Sequence, residues 1–267
     1  MHPVLVKLGP LTVHTYGFMM AVGVGMALWF IYVQAKKAGL DAPALLDAAF
    51  YTIIVSLIGA KLILFLSNFS LYLSSPRELF SLARSGGVFQ GGLTFGVIFA
   101  LWYFRRKKIP TWKAGDLVGP ALAMGHGFGR IGCFSAGCCY GSECAEPWSV
   151  VFKSEYAHNL TGIPLNVHLH PVQLYEAALN FLNFGILFLV LKKKRFDGQV
   201  FSLYIVNYSI IRFITEYFRG DHPDRTYFMR GATALSSLSY PQLFCILGVL
   251  CGAGLAVVLG RRRRAKD

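Results

Sequence analysis

Long apolar segments, separated by short polar ones, run through the whole chain. Seven of these segments approach the roughly 20 residues that an α-helix needs to cross a bilayer, at 16–33, 48–66, 88–104, 117–134, 174–191, 199–218 and 241–259. The pattern predicts an all-α polytopic membrane protein with seven transmembrane helices. We expect residues 1–267 to form a single integral membrane domain, with external loop elements at about 135–173 and 219–240.

The distribution of basic residues predicts the orientation of these helices. Short loops rich in Lys and Arg stay in the cytoplasm. With the boundaries above, 16 of the 26 basic residues fall on one side, seven fall on the other and three lie within spans. The N-terminus is therefore predicted to lie outside and the C-terminus in the cytoplasm.

The composition excludes several classes of protein. Hydrophobic residues make up 55% of the chain and charged residues 15%, with a mean hydropathy of +0.51. These values rule out a soluble domain, disorder, a coiled coil and collagen. The formal charge of +13 would suggest nucleic acid as the partner of a soluble protein. Because the excess charge orients the helices, we expect the lipid bilayer as a partner and no nucleic acid.

Three cations lie within predicted spans, where each needs a compensating role. Lys61, Arg130 and Arg212 would each cost about 2.5–3.5 kcal/mol at a helix centre. The predicted topology puts all three in the outer half of the membrane. Polar residues at the start of other spans are predicted to lie in the same outer half of the membrane: Tyr16, Gln90-Gly91-Gly92-Leu93 and the segment from His170 to Glu176. The sequence therefore predicts one polar cavity near the outer leaflet.

Two arginines are the strongest candidates to bind an anion. Arg212 and Glu216 are four residues apart, a spacing that lets them pair on one helix face. The pair either joins helices or orients the guanidinium toward an anionic ligand. Arg130 follows Gly125 and Gly129 on a glycine-rich helix, where backbone can approach a ligand closely. A phosphate suits this position.

Four cysteines lie within twelve residues: Cys133, Cys138, Cys139 and Cys144. Their spacing lacks the C-x2-C unit of structural zinc sites, so we predict no metal site. An external disulfide is sterically allowed. The remaining interpretation is that these cysteines are small packing residues.

Taken together, the motifs resemble those of the phosphatidylglycerol:prolipoprotein diacylglyceryl transferases of the bacterial inner membrane. The likeness covers essentially the whole chain and follows the family order. Its motifs are Tyr16-Gly17, Gly59-Ala60-Lys61, Gln90-Gly91-Gly92-Leu93, Gly129-Arg130-Ile131-Gly132, His170-Pro171-x-Gln173-Leu174-Tyr175-Glu176 and Arg212-Phe213-x-x-Glu216-Tyr217-Phe218-Arg219.

The resemblance implies a transferase that moves the diacylglyceryl group of phosphatidylglycerol to the lipobox cysteine thiol of a preprolipoprotein, forming a thioether and releasing glycerol phosphate. It implies a multi-pass location in the bacterial inner (cytoplasmic) membrane, a site toward the outer leaflet and no cofactor. The residues implied as catalytic are Arg130, Arg212, Glu216 and Tyr16. The residues implied to bind phosphatidylglycerol are Arg130, Lys61, Gln90, Gly91, Gly92, His170, Gln173 and Tyr175.

The chain departs from a common version of the family pattern at four positions. Gln90 stands where many members have His, and Lys61, Cys133 and Cys138 stand where Arg, Asn and Glu are frequent. Without that histidine the general base is left open: His126 or His170 could substitute, or the arginines could suffice.

Two other functions fit parts of the sequence. A transporter or receptor for an anionic lipid or solute would use the same arginines, but we find no internal repeat of the kind that transporters show. A membrane thiol oxidoreductase would normally present C-x-x-C, whereas Cys138 and Cys139 are adjacent.

Overall fold

Seven of the eight helices in the described part of the chain coincide with the seven predicted spans. The computed structural model describes residues 3–9, 11–69, 72, 87–221, 227–229 and 238–264. The long helices are α1 (Thr15–Lys37), α2 (Ala42–Ser67), α3 (Phe89–Arg106), α4 (Thr111–Ala136), α6 (Val172–Lys193), α7 (Gln199–Glu216) and α8 (Tyr240–Arg264); the short helix α5 covers Glu155–Thr161. Much of the predicted loop at 219–240, and the basic residues Arg77, Arg84, Arg225, Arg230 and Lys266, lie outside the described residues.

Among the described residues, four helices are long and apolar enough to cross a membrane: Thr15–Lys37, Ala42–Ser67, Val172–Lys193 and Tyr240–Arg263. Helices α3, α4 and α7 are also at least 18 residues long, but their sequences are less apolar. Helix α4 carries Asp116, His126 and Arg130, and α7 carries Arg212 and Glu216. The prediction of a helical membrane protein is therefore confirmed by length and composition for these four helices.

The chain folds into two compact units. One unit comprises residues 1–30 and 115–267, and the other comprises residues 31–114. In the smaller unit α2 packs against α3 through glycines. A Cβ on Gly91 would stand 2.7 Å from the carbonyl oxygen of Gly59, so only glycine allows this close approach of the two backbones.

In the larger unit, α7 packs between α6 and α8. Its core includes Ala123, Leu187, Val200 and Tyr204, which are all buried. Helix α8 approaches α7 closely at Gly252, where a Cβ would lie 3.0 Å from the carbonyl oxygen of Ser202. Small residues of this kind permit close helix contacts within membranes.

Three short antiparallel strand pairs accompany the helices in the residues that the structure describes. Strands β1 (Val4–Leu8) and β2 (Leu11–His14) lead directly into α1. Strand β3 (Val150–Val151) pairs with β4 (His168–Leu169), and β5 (Tyr227–Met229) pairs with β6 (Leu238–Ser239). Between β3 and β4, the loop around α5 has its own apolar core of Phe152, Ala157, Ile163 and Leu169.

A buried carboxylate on α4 holds the start of α7. Asp116 is fully buried and accepts hydrogen bonds from the backbone N–H groups of Gly198, Val200 and Phe201 at 2.9–3.1 Å. It also pairs with Nζ of Lys194 at 2.7 Å. These bonds satisfy N–H groups that a helix N-terminus leaves without partners, and the negative charge suits the helix dipole.

Two carboxylates, those of Asp116 and Asp197, favour the protonated form of Lys194. Burial opposes the charged form, but the hydrogen bonds to Asp116 and Asp197 outweigh it and raise the pKa of the Lys194 ammonium above its ordinary value. The ammonium therefore stays charged at neutral pH and satisfies the buried carboxylate of Asp116.

Replacing Asp116 with asparagine is expected to destabilise the protein by about 2–3 kcal/mol, because it removes the charge from a buried, hydrogen-bonded group. The melting temperature of the protein in detergent should fall by about 5–10 °C. Asp197→Asn is the matched control, since Asp197 also pairs with Lys194 but has a side chain that is 53% exposed. An equal loss in both variants would contradict the role given to Asp116.

Candidate active site

Polar residues of three helices converge on one buried cluster of charges. Glu176, near the start of α6, is 2% exposed, and its Oε2 forms an ion pair with Nε of Arg130, near the end of α4. On α7, Nη1 of Arg212 lies 2.5 Å from Oε2 of Glu216 and 3.8 Å from Oε1 of Glu176. Two guanidiniums and two carboxylates thus form one group, here called the ion cluster.

Two hydroxyl groups hold the carboxylates of the ion cluster in place. Thr215 donates to Oε1 of Glu176 at 2.9 Å, and Ser239 donates to Oε1 of Glu216 at 2.9 Å. Ser239 is itself fixed, because its backbone N–H donates to Oε1 of Gln242 at 2.9 Å. Partners of this kind orient a charged group before any ligand arrives.

The guanidiniums keep nitrogens available for an anion. Arg130 pairs through Nε, and Arg212 pairs through Nη1. Within the described residues, their other nitrogens have no hydrogen-bond partner, and the two side chains are 20% and 16% exposed. A partly exposed guanidinium, with its remaining donors in a planar fork, matches a phosphate.

The sequence predicted the pairing of Arg212 with Glu216 and placed Glu176 in a motif at the predicted cavity, but it gave Glu176 no role in the site. The spacing of Arg212 and Glu216 places them on one helix, whereas Glu176 joins α4 to α7 from a third helix. A signal was present. Glu176 is an ionisable residue near the start of a predicted span, and with Asn180 and Asn183 it forms a buried polar stripe on α6.

Three predicted binding residues lie near the start of α6. Gln173 is fully buried and donates through Nε2 to the backbone carbonyl of Cys138 at 2.9 Å. Nδ1 of His170 lies 3.3 Å from the hydroxyl of Tyr175, and both rings pack against Phe218. These residues connect the loop after α4 with the start of α6 and the residues after α7.

Tyr16 opens α1 and lies against the end of α4. The Cδ2 atom of its ring would be 3.2 Å from a Cβ on Gly132, two residues after Arg130. The side chain is 42% exposed. Glycine at position 132 therefore makes room for the Tyr16 ring beside the helix that carries Arg130.

The other predicted binding residues lie in the smaller unit. Gly91 and Gly92 are buried where α3 packs on α2, Gln90 is exposed, and Lys61 is partly buried on α2. The glycines have a packing function whether or not they also approach a lipid. A role of these four residues in binding phosphatidylglycerol stays a prediction.

The loop after α4 is fastened to the end of α7. Gly141 forms an antiparallel bridge with Arg219, and a Cβ on Gly220 would lie 2.5 Å from the carbonyl oxygen of Gly141. Arg219 pairs with Asp221 through two hydrogen bonds, at 3.0 and 2.6 Å. Arg219, the last residue of the predicted motif that begins at Arg212, is therefore paired with the carboxylate of Asp221.

All six cysteines are free thiols. Cys133, Cys138 and Cys139 lie together, with their Sγ atoms all within 4.8 Å of one another. Hydrogen bonds from the thiols of Cys133 and Cys138 lower the pKa of the Cys139 thiol, and the charges of Arg219 and Arg130 lower it further. The disulfide that the sequence allowed is not formed among these residues.

His126, one of the alternatives for the general base, contacts two tyrosines. Its Nδ1 lies 3.4 Å from the hydroxyl of Tyr204, and its ring centroid lies 4.8 Å from that of Tyr208. Both tyrosines belong to α7. These contacts give His126 a packing role between α4 and α7.

The chain is similar to known proteins of one family. A family model described as prolipoprotein diacylglyceryl transferase matches residues 3–258. The chain is 35% identical to the phosphatidylglycerol–prolipoprotein diacylglyceryl transferase of Clostridium tetani, over 92% of this chain and 94% of the relative. It is also 35% identical to that of Methylibium petroleiphilum, over 97% of both chains, and 36% identical to that of Photobacterium profundum, over 81% and 80%. The chain therefore belongs to the prolipoprotein diacylglyceryl transferase family.

Proposed function

We propose that this transferase uses the ion cluster to hold the phosphate of phosphatidylglycerol while the diacylglyceryl group moves to the lipobox cysteine of a preprolipoprotein. The observation that carries the proposal is the shared carboxylate of Glu176, which pairs with Arg130 and lies near Arg212. It holds the two guanidiniums in one buried group and leaves donors of both available. Two oriented cations suit a phosphate better than one flexible cation does.

The reaction needs negative charge to be stabilised on the leaving phosphate. The substrate thiol loses its proton, which is released to solvent over the whole reaction. Its sulfur forms a bond to the glyceryl carbon, and the bond from that carbon to the phosphate oxygen breaks. Glycerol phosphate leaves with one more negative charge than the phosphodiester had. Arg130 and Arg212 would meet that charge as it develops, which is the type of effect that contributes most in many enzymes. The nucleophile belongs to the substrate, so no cysteine of this chain is required.

The other site residues take supporting roles in this proposal. Glu216 orients Arg212 through the 2.5 Å ion pair, and Tyr16 offers a half-exposed hydroxyl side chain beside the end of α4. His170, Gln173 and Tyr175 form a wall toward the headgroup. Lys61, Gln90, Gly91 and Gly92 are assigned to the same lipid from the sequence.

The proposed topology is seven spans within one integral membrane domain of the bacterial inner membrane, with the N-terminus outside and the C-terminus in the cytoplasm. The directions in which the helices run support this topology. Arg130 lies near the end of α4, Glu176 near the start of α6 and Arg212 near the end of α7, so the ion cluster occupies one end of these helices. The basic residues 192–195 lie at the opposite end of α6, as expected for a cytoplasmic end. The ion cluster then faces the outer leaflet.

A transfer assay tests the function directly. Purified protein in detergent, supplied with phosphatidylglycerol and a lipobox peptide, is expected to give the diacylglyceryl thioether peptide and glycerol phosphate in equal amounts, both measured by mass spectrometry. A peptide with serine in place of the lipobox cysteine should give neither product. If folded protein, reconstituted into vesicles, moves the lipid across the bilayer but forms no thioether, the transporter function is correct and this proposal is wrong.

A further inference from the structure

The three thiols of Cys133, Cys138 and Cys139, here called the thiol cluster, are brought together by the way α4 ends. Both Gly137 and Cys138 donate their backbone N–H to the carbonyl of Cys133, at 2.9 and 3.2 Å. Gly137 has φ +80° and Cys139 has φ +57°. A non-glycine residue rarely adopts such a φ. This tight turn folds the chain back, so that two successive cysteines lie beside the cysteine of the last helical turn.

Contacts that do not involve sulfur hold the turn in this shape. The hydroxyl of Thr161 donates to the carbonyl of Gly137 at 3.1 Å, and Gln173 donates to the carbonyl of Cys138 at 2.9 Å. Thr161 belongs to α5 and Gln173 to α6. The backbone of the thiol cluster is therefore positioned from two sides before any ligand binds.

The distances suit a soft metal ion. Bonds from thiolate sulfur to a d10 ion are about 2.3 Å long, so three sulfurs around one ion in a trigonal plane would be separated by about 4 Å. The Sγ atoms of the thiol cluster all lie within 4.8 Å of one another. No fourth Cys, His or carboxylate belongs to this group in the described part of the chain. Three sulfur ligands fit Cu(I) better than Zn²⁺, which prefers four ligands in structural sites.

Two arginines lie near the thiol cluster. Arg219 and Arg130 act electrostatically on Cys139, and each also pairs with a carboxylate, that of Asp221 and that of Glu176. Binding would release the thiol protons to solvent, with no change in the oxidation state of sulfur or metal.

We propose that Cys133, Cys138 and Cys139 form a binding site for one soft monovalent d10 cation of the Cu(I) class. The site is separate from the proposed transfer reaction, which needs no metal. The spacing of these cysteines in the sequence argues against a structural zinc site. It does not bear on a three-coordinate site, because the geometry of that site depends on the turn at Gly137. The ion would join the end of α4 to the turn that Gln173 contacts.

Metal binding by matched variants tests the proposal. Reduced protein in detergent, kept anaerobic, is titrated with Cu(I) held by a competing chelator, and thiolate-to-metal absorption and bound copper are measured. Wild type should bind one equivalent and gain thermal stability. The variant C133S/C138S/C139S should lose more than about 100-fold in affinity, since losing only the hydrogen-bond partners of metal ligands already costs about 10- to 100-fold. The control C144S/C245S/C251S removes the other three cysteines and should bind as wild type does.

Three results would overturn the proposal. They are equal binding by both triple variants, loss of binding in the control, and a disulfide within the thiol cluster in protein whose thiols were blocked in intact membranes. If the cluster variant does not fold, the single variant C139S and X-ray absorption of copper-loaded wild type replace it. Absorption must then show three sulfur ligands; a spectrum with nitrogen or oxygen ligands would also overturn the proposal.

Discussion

Arg130→Lys is expected to slow diacylglyceryl transfer by about 10²- to 10³-fold, the usual effect of losing one donor that stabilises a developing negative charge. Lysine keeps the positive charge but lacks the planar fork. A lysine at this position has a single ammonium group, which cannot pair with Glu176 and also bind a phosphate as the several nitrogens of arginine can. The measurement is kcat/KM for the lipobox peptide at saturating phosphatidylglycerol, followed by mass spectrometry of the thioether product.

The loss in Arg130→Lys should lie mainly in kcat, because the interaction strengthens as charge moves onto the leaving phosphate. Arg195→Lys is the matched control: Arg195 is exposed at the opposite end of α6, and its replacement should change kcat by less than about twofold, as at most surface sites. If Arg130→Lys raises only the KM for phosphatidylglycerol, measured at saturating lipobox peptide, Arg130 binds the lipid without stabilising the transition state, and the proposed mechanism is wrong.

Glu176→Gln is expected to destabilise the protein by about 3–5 kcal/mol, because removing one partner of a buried ion pair leaves an uncompensated charge. Here the cost extends to two guanidiniums, since Glu176 pairs with Arg130 and lies 3.8 Å from Arg212. The glutamine amide also faces Thr215, which donates to the carboxylate in the wild type. We expect the melting temperature in detergent to fall by about 10 °C.

Transfer by Glu176→Gln should be lost even below its melting temperature, since the arginines are then no longer held for the phosphate. Glu155→Gln is the control, because Glu155 is exposed on α5, and it should leave both measurements unchanged. A Glu176→Gln protein with wild-type stability and activity would show that Arg130 and Arg212 do not depend on this carboxylate.

The parts of the fold that could be predicted from the sequence are those set by local patterns. Each predicted span lies on a helix, since a run of about 20 mainly apolar residues favours one, and His126 and Arg130 do not end the helix in α4. Arg212 and Glu216 pair because helical spacing alone places them together. Hydropathy is a weaker guide for α3, α4 and α7, whose sequences are less apolar. In α4 and α7, part of this polarity comes from Arg130, Arg212 and Glu216, which belong to the ion cluster.

The parts that could not be predicted depend on contacts between distant segments. Glu176 joins Arg130 and Arg212 across distances of 46 and 36 residues in the sequence, and no local pattern specifies such a pairing. Asp116 holds the start of α7 in the same way, 82 residues before Gly198. The thiol cluster depends on a backbone turn with φ +57° at Cys139, which the spacing of the cysteines does not reveal.

The ion cluster also bears on how the product leaves. Its two arginines and two glutamates sum to zero formal charge, so a phosphodiester would bring one net negative charge into this end of the bundle. After transfer, the free phosphate group approaches two negative charges at neutral pH. The arginines then attract the product more strongly than the substrate, and the glutamates that orient them repel it more strongly. Because the ion cluster carries no net charge, these two changes oppose each other, which limits how tightly the spent headgroup is held and lets fresh lipid replace it.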